Sequence, residues 1–196
     1  RRRRRDPMND DDIRIQPLTP PRRDDYLRFF ERRAFTDNPR WAGCYCYYPQ
    51  HDPKTTAWQQ RSADENRAAI CACLDAGTVQ GWLAYRDGAV AGWCNAGPRR
   101  LYPMLADSPE LPPDDGRTGA VFCFVVAPGE RRQGIARALL QAACDGLRAQ
   151  GLARVLGWPP RLIDIRVARS PEGRHWAVRA EARGPTVDDI RWRVTR

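Results

Sequence analysis

The chain has 196 residues and a mass of 22.4 kDa, which suits one domain with a proper core, since domains commonly run to about 100–200 residues. Its 17 Pro, 15 Gly and mean hydropathy of −0.68 assign part of that length to loop or tail and argue against a second full domain. The formal net charge of +9 lies at the ends: residues 1 to 7 carry +4 and residues 161 to 196 another +4, leaving +1 for residues 8 to 160. A near-neutral body lacks the basic stripe that tracks phosphates, so the charge disfavours a nucleic-acid partner.

The seven Cys are an odd number, spread along the chain with no secretory signal ahead of them, and so point to reduced thiols in a cytoplasmic protein. No apolar run approaches the ~20 residues of a membrane span, so no membrane partner is expected. Residues 1–11 open on Arg1 to Arg5 ahead of Met8 and read as a disordered basic extension upstream of the fold.

Asp12 to Leu18 alternates apolar and polar residues, the period of a first strand, and Pro20 and Pro21 break it. From Arg22 to Phe35 the spacing of Tyr26, Leu27, Phe29 and Phe30 among charges predicts an amphipathic helix, ended by Asn38 and Pro39. Trp41 to Pro49 is dense in aromatics without a clean period and reads as strand-like or irregular. Asp64 to Asp75 is a run of helix formers with Gly77 as its stop. Asp87-Gly88 between two β-prone runs predicts a tight hairpin, because its turn needs positive φ at both central positions.

Pro98 to Gly119 reads as a long loop, a length uncommon unless it serves a site. Val121 to Val126 is a continuous apolar run closed by Pro128 and Gly129, as expected of a strand buried on both faces. Ile135, Leu139, Ala142 and Gly146 form the apolar stripe of a following helix that ends at Gln150-Gly151. Ala153 to Leu156 starts another strand. The order β-α-α-β-β-β-α-β gives an α/β domain over residues 12–157, with a mixed sheet and helices on both faces.

The chemistry concentrates in the turn after the apolar strand, Pro128 to Ala136. A glycine-bearing turn into a helix N-terminus aims several backbone N–H groups at one anion, and the helix dipole favours negative charge there. Gly134 lets the backbone approach a phosphate, Ala136 avoids crowding it, and Arg131 and Arg132 add charge. A plain cap with solvated charges is the alternative, but such caps favour Ser, Thr, Asp or Asn.

Val126, Pro128, Arg131, Gly134 and Ala136 stand at the spacing Val-x-Pro, two residues, Gln/Arg-x-x-Gly-x-Gly/Ala. In this the stretch resembles the coenzyme A motif of the GNAT superfamily of N-acetyltransferases, and the resemblance extends over about Ile13 to Leu156. It implies acetyl-CoA as acetyl donor, and a small-molecule or peptide amine as acceptor. It also implies that the turn Arg131, Arg132, Gln133, Gly134, Ile135 and Ala136 holds the pyrophosphate. The backbone of Phe124, Val125 and Val126 would pair with the pantetheine arm like an added strand. A homodimer is compatible with this reading.

Other constellations are weaker. Cys44-x-Cys46 and Cys71-x-Cys73 with His51 invite a zinc reading, but two positions on a helix point about 200° apart, so Cys71 and Cys73 cannot chelate one ion together. No metal is expected. Cys123 lies on the cofactor strand, yet no His stands near it in sequence to activate it, and a core thiol is preferred. Trp41, Tyr45, Tyr47 and Tyr48 suit an acceptor pocket and a core equally. His51 reads as a surface loop residue.

The resemblance fails at the end. In that family a helix after the fifth strand usually carries an Asn and a Tyr, the Tyr often protonating the departing thiolate, but here no Tyr follows Tyr102. Residues 158–196 are Arg-rich. Ile163, Ile165 and Val167 alternate, Ser170 to Gly173 reads as a turn, Trp176, Val178 and Ala180 alternate back, and Ile190, Trp192 and Val194 hint at another strand. Two readings stay open, a β-rich ending in place of the helix and a tail from a shifted reading frame, and the abrupt change in composition favours the second. The general acid and base are unassigned. The reading is direct acetyl transfer in a ternary complex, and the alternative is a coenzyme A-binding protein that lost transfer with its C-terminal segment.

Overall fold

A computed structural model describes residues 13–106, 111 and 113–157, and the backbone of 163–169 and 176–182. The basic extension 1–11, the turn at Ser170 to Gly173 and the strand at Ile190 to Val194 lie outside the described residues.

The first strand, β1 (Arg14–Pro17), pairs antiparallel with β2 (Gly81–Arg86). Between them run two helices, α1 (Arg23–Arg32) and α2 (Ala63–Asp75). The first helix stops short of the expected Asn38-Pro39, because the Phe29 carbonyl accepts from both Arg33 and Ala34 N–H at 2.9 Å and the ladder ends there. At the start of α2 stands a capping box just ahead of the expected Asp64: Ser62 Oγ accepts from Glu65 N–H at 3.2 Å, and Glu65 Oε2 accepts from Ser62 N–H at 2.7 Å.

The hairpin forms as expected, with Asp87 at φ 50° and Gly88 at φ 75° joining β2 to β3 (Ala89–Pro98). The strand-like or irregular reading of Trp41 to Pro49 resolves into two 3-10 turns, Pro39–Cys44 and Tyr48–Gln50, separated by Tyr45 to Tyr47, of which Tyr45 and Cys46 take left-handed conformations. Their backbone is held from α1, where the Tyr26 hydroxyl donates to the Tyr45 carbonyl at 2.5 Å. The expected long loop after Pro98 also carries structure, a 3-10 turn at Arg99–Leu101 and the short α3 (Pro103–Ala106). Tyr102 and Leu105 from it pack against Ala120 and Phe122.

β4 (Thr118–Val126) pairs antiparallel with β3 and parallel with β5 (Arg154–Gly157), and α4 (Ile135–Ala149) makes the crossover. Two further strands, β6 (Ile163–Arg169) and β7 (Trp176–Ala182), continue the sheet antiparallel, giving seven strands in chain order among the described residues. In backbone terms this ending is strand, as the alternation of Ile163, Ile165 and Val167 and of Trp176, Val178 and Ala180 implies.

Helices cover both faces. Tyr26, Phe29 and Phe30 of α1, with Ile70 and Leu74 of α2, bury one side with Leu83 and Trp93. On the other side Ile135, Leu139, Ala143 and Leu147 of α4 bury Trp82, Ala84, Cys94 and Val121. At about 25 cal/mol per Å² these apolar faces are the main source of stability.

Candidate functional site

A bulge sets up the site. Across β3 and β4, Asn95 faces Cys123 while Ala96 faces Val121, so Phe122 is an extra residue on β4. Such an insertion bends a strand and re-aims the residues beyond it. Parallel pairing with β5 accordingly runs only from Thr118 to Val121. Past that point Phe124, Val125 and Val126 keep β3 on one side and border a cleft on the other. Phe124 is 41% exposed, large for a residue of an interior strand.

Behind β4 the chain turns through Pro128–Glu130, then takes left-handed conformations at Arg132 (φ 62°) and Gly134 (φ 79°). Alternation of this kind makes successive N–H groups converge. Gly134 is the residue before the first turn of α4, which has no side-chain cap. The N–H groups of that first turn therefore have no intrahelical acceptor and sit at the positive end of a 15-residue helix. A Cβ built on Gly134 would meet nothing within 4 Å, so its need for glycine is conformational and its surroundings are open.

Of the nine residues singled out by sequence, Phe124, Val125, Val126, Arg131, Arg132, Gly134, Ile135 and Ala136 border the cleft. Gln133 does not. Its amide donates to the Gly129 carbonyl at 3.0 Å and its oxygen accepts from Arg86, which locks the turn from behind. Arg131 is also committed, donating to both Asp37 oxygens at 2.5 and 3.2 Å and to the Val126 carbonyl at 3.2 Å. That pair holds the Asp37 carboxyl below the usual carboxylate range. The exposed cations left at the turn are Arg132 and Arg137, with no hydrogen-bond or ion-pair partner among the described residues.

Glu130 anchors the turn to the body. It accepts from Arg33 at 3.2 Å and from Arg86 at 3.2 Å, and the Arg86 side chain is only 11% exposed.

The cleft encloses about 1270 Å³. Its second wall comes from the 3-10 segment after α1 and from the start of α2, with Phe35, Trp41, Tyr48 and Trp58 as its rings. The aromatic run thus divides: Trp41 and Tyr48 face the cleft, whereas Tyr45 packs on the α1 core and Tyr47 stacks among His51, Trp58 and Arg61.

Contrary to its surface reading, His51 is 3% exposed, and its Nε2 donates to the Thr56 carbonyl at 2.7 Å. It pins a loop and does not line the cleft. Cys44, Cys46 and Cys123 do line it. Burial pushes the Cys44 thiol up to about 11 and the Cys46 thiol well above its ordinary value, so both are protonated near neutrality and poor nucleophiles. Cys71 and Cys73 lie on α2 as expected. Beneath the cleft, fully buried Asn95 accepts from the Tyr102 hydroxyl at 3.0 Å and donates to Gln50 at 3.1 Å.

Asp37, Glu130, Arg86, Arg61 and Asn66 were not legible in the sequence, because each acts through a partner distant along the chain or through a loop without period. Among the described residues no helix is long and apolar enough to cross a membrane.

A family model for the acetyltransferase (GNAT) family matches residues 12–169. An aminoglycoside N-acetyltransferase crystallised with CoA is similar at 16% identity and a TM-score of 0.47, over 82% of this chain and 78% of that one. A GCN5-related N-acetyltransferase from Ralstonia eutropha JMP134 is similar at 20% identity and a TM-score of 0.46, over 74% of this chain and 82% of that one. A GNAT family acetyltransferase from Brucella melitensis in complex with acetyl-CoA is similar at 14% identity and a TM-score of 0.42, over 74% of each chain. No curated protein matches the chain. The bulged strand, the glycine turn and the helix behind it all fall inside the matched span, and the chain belongs to the acetyltransferase (GNAT) family.

Proposed function

We propose that the chain transfers the acetyl group of acetyl-CoA to a primary amine by direct attack while both substrates occupy the cleft. What carries this reading is the continuity of three features along one wall: the open edge at Phe124 to Val126, the left-handed turn at Arg132 to Gly134, and the uncapped start of α4. An edge of that kind pairs with an amide-bearing chain as an added strand would. Pantetheine carries two amides at strand-like spacing, and its diphosphate end would then reach the N–H groups of Gly134, Ile135 and Ala136. In this reading Arg132 and Arg137 supply charge, while Arg131 and Gln133 position the turn.

With the thioester held on that edge, an N–H of β4 polarises its carbonyl, and the amine approaches from the aromatic wall. The amine nitrogen bonds to the carbonyl carbon, the C–S bond breaks, and the amine proton passes, in net, from nitrogen to the departing sulfur. Direct attack is favoured over a cysteine relay by the burial of Cys44 and Cys46, which keeps both thiols protonated. Free thiols at all seven Cys fit the reducing cytoplasm as the place of action.

The test is acetyl-CoA binding read as a rise in Tm by mass action. Gly134→Glu places a strained side chain and a like charge in the open space before α4 and should abolish the rise. An unchanged rise in that variant would sink the assignment of the turn.

A further inference from the structure

The cleft has a charge pattern that selects among amines. The two carboxylates bordering the cleft, Asp37 and Glu130, are both taken, the first by two bonds from Arg131 and the second by Arg33 and Arg86. Neither is left to neutralise an acceptor. A polycationic amine entering here would meet the positive charges of Arg40 and Arg61, which also border the cleft and have no ion-pair partner among the described residues.

Arg61 is built into place. Its Nε donates to Asn66 Oδ1 at 2.7 Å, its Nη2 donates to the Glu65 carbonyl at 3.0 Å, and its guanidinium lies 4.9 Å from the Tyr47 ring centroid. Asn66 is itself buried, at 4% exposure, and donates to the Gly43 carbonyl at 2.9 Å, which fixes the amide that orients Arg61. Every one of these partners is neutral. Of the two acids that follow it, Asp64 makes no ion pair with Arg61, and Glu65 turns its carboxylate to Ser62, whose N–H and hydroxyl donate to it at 2.7 and 2.9 Å and, with a smaller contribution from the Arg61 charge, hold it below the usual carboxylate range. Arg61 is therefore oriented without an ion pair among the described residues, and no hydrogen bond to a described residue engages its Nη1. A guanidinium held this way has already lost the rotamer freedom that binding a carboxylate would otherwise remove.

On the same cleft Tyr48 and Trp58 pack edge to face at 5.0 Å, and Trp41, 63% exposed, adds a third ring to the lining. Rings exposed on a cleft wall accept an aromatic or large apolar body. Resting on the transferase reading above, we infer that the acceptor is an amine on an aromatic or large apolar body that also carries a carboxylate, which Arg61 binds, and that polycationic amines are poor acceptors.

The experiment is a thiol-release assay of the full chain with acetyl-CoA and four kinds of acceptor: L-phenylalanine and L-tryptophan, their decarboxylated amines phenethylamine and tryptamine, spermidine, and kanamycin. The carboxylated pair should exceed the decarboxylated pair in kcat/KM by about tenfold or more, the scale of one charge-assisted contact. Spermidine and kanamycin should be poorer still. In Arg61→Gln the ratio between carboxylated and decarboxylated amines should fall toward one, mainly through KM, and Arg61→Lys should restore part of it.

Equal or better turnover of the polycations or of the decarboxylated amines overturns the inference and leaves the transferase reading standing. So does a wild-type panel in which acetyl-CoA raises Tm but neither amino acid reacts. If acetyl-CoA gives neither a Tm rise nor thiol release with any amine, the transferase reading fails first and the inference with it. The acetyl-CoA Tm rise of Arg61→Gln reports whether that variant is folded, and the wild-type panel decides without it.

Discussion

Arg131 and Asp37, 94 residues apart in sequence, meet across the mouth of the cleft in a two-point ion pair at 2.5 and 3.2 Å. The contact ties the turn before α4 to the segment after α1, so the two walls of the cleft share one electrostatic latch. The Arg131 hydrogen bond, chiefly, lowers the Asp37 pKa below its ordinary value.

A lowered carboxyl pKa fixes the sign of the pH dependence. The contribution of Asp37 is fully present above the pKa of the unfolded chain, ordinarily about 3.9, and is lost as pH falls through the lower folded value. Asp37→Asn should therefore lower Tm slightly, as befits a half-exposed pair. The difference from wild type should stay constant from about pH 5 to 8 and shrink below about pH 4. A difference that grew on acidification would contradict the latch.

Glu130 lies deeper, between Arg33 and Arg86. Glu130→Ala leaves the Arg86 guanidinium largely buried with its carboxylate partner gone, and should cost about 1–3 kcal/mol in urea unfolding, below the loss expected of a fully buried pair. Arg132→Ala should separate binding from folding, leaving the unfolding midpoint near wild type because Arg132 is exposed and unpartnered among the described residues, while weakening acetyl-CoA binding. Equal stability losses in the two variants would mean that Glu130 anchors nothing.

The local parts of this architecture were legible, and the reason is physical. A strand, a glycine turn and an amphipathic helix each announce themselves within about ten residues, so the elements from Val121 to Ala149 were legible, but burial of the strand on both faces was not borne out, since its end borders the cleft and Phe124 is 41% exposed. Asp87-Gly88 dictated its hairpin for the same reason, through φ values of 50° and 75°. The cleft's second wall was not legible, because Trp41 to Arg61 has no period of its own. Its shape comes from Tyr26 under the Tyr45 carbonyl and Asn66 under the Gly43 carbonyl, contacts across 19 and 23 residues. His51 misled for this reason too, since a loop sequence gave no sign of the rings and carbonyl that bury it.

Burial makes a kinetic prediction. With the Cys44 thiol pushed up to about 11 and the Cys46 thiol held well above its ordinary value by burial, initial-rate plots against acetyl-CoA and amine should intersect, as in a ternary complex. Mass spectrometry of enzyme quenched during turnover should show no added acetyl group. Labelling of Cys44 by a thiol reagent should be slow at neutral pH and accelerate as pH climbs toward that value. Parallel rate plots with an acetylated cysteine would overturn direct attack.

Close packing of α4 gives a stability prediction free of the site. A Cβ on Gly146 would overlap the Trp82 indole of β2, where no flexible side chain can yield. Gly146→Ala gains about 1 kcal/mol of helix propensity but meets an overpacking penalty of about 1–3 kcal/mol, so it should destabilise on balance. A higher unfolding midpoint would show that the α4 contact relaxes freely.

Residues 158–196 are proposed, from their composition, as a unit apart from a domain at 12–157. Among the described residues, those bordering the cleft fall between Phe35 and Arg137, so truncation after Pro160 should leave the Tm rise with acetyl-CoA in place. The truncation also removes β6, which pairs with β5 through Val155 opposite Ile165 and Gly157 opposite Ile163. β5 then becomes an edge strand, four residues long and with unpaired peptide groups, of the kind that pairs with other chains. The truncated chain should bind acetyl-CoA yet self-associate in light scattering, increasingly with concentration. If it binds and stays monomeric, the ending contributes little to the sheet. If it no longer folds or binds, the proposed boundary is wrong and the C-terminal strands are integral to the domain.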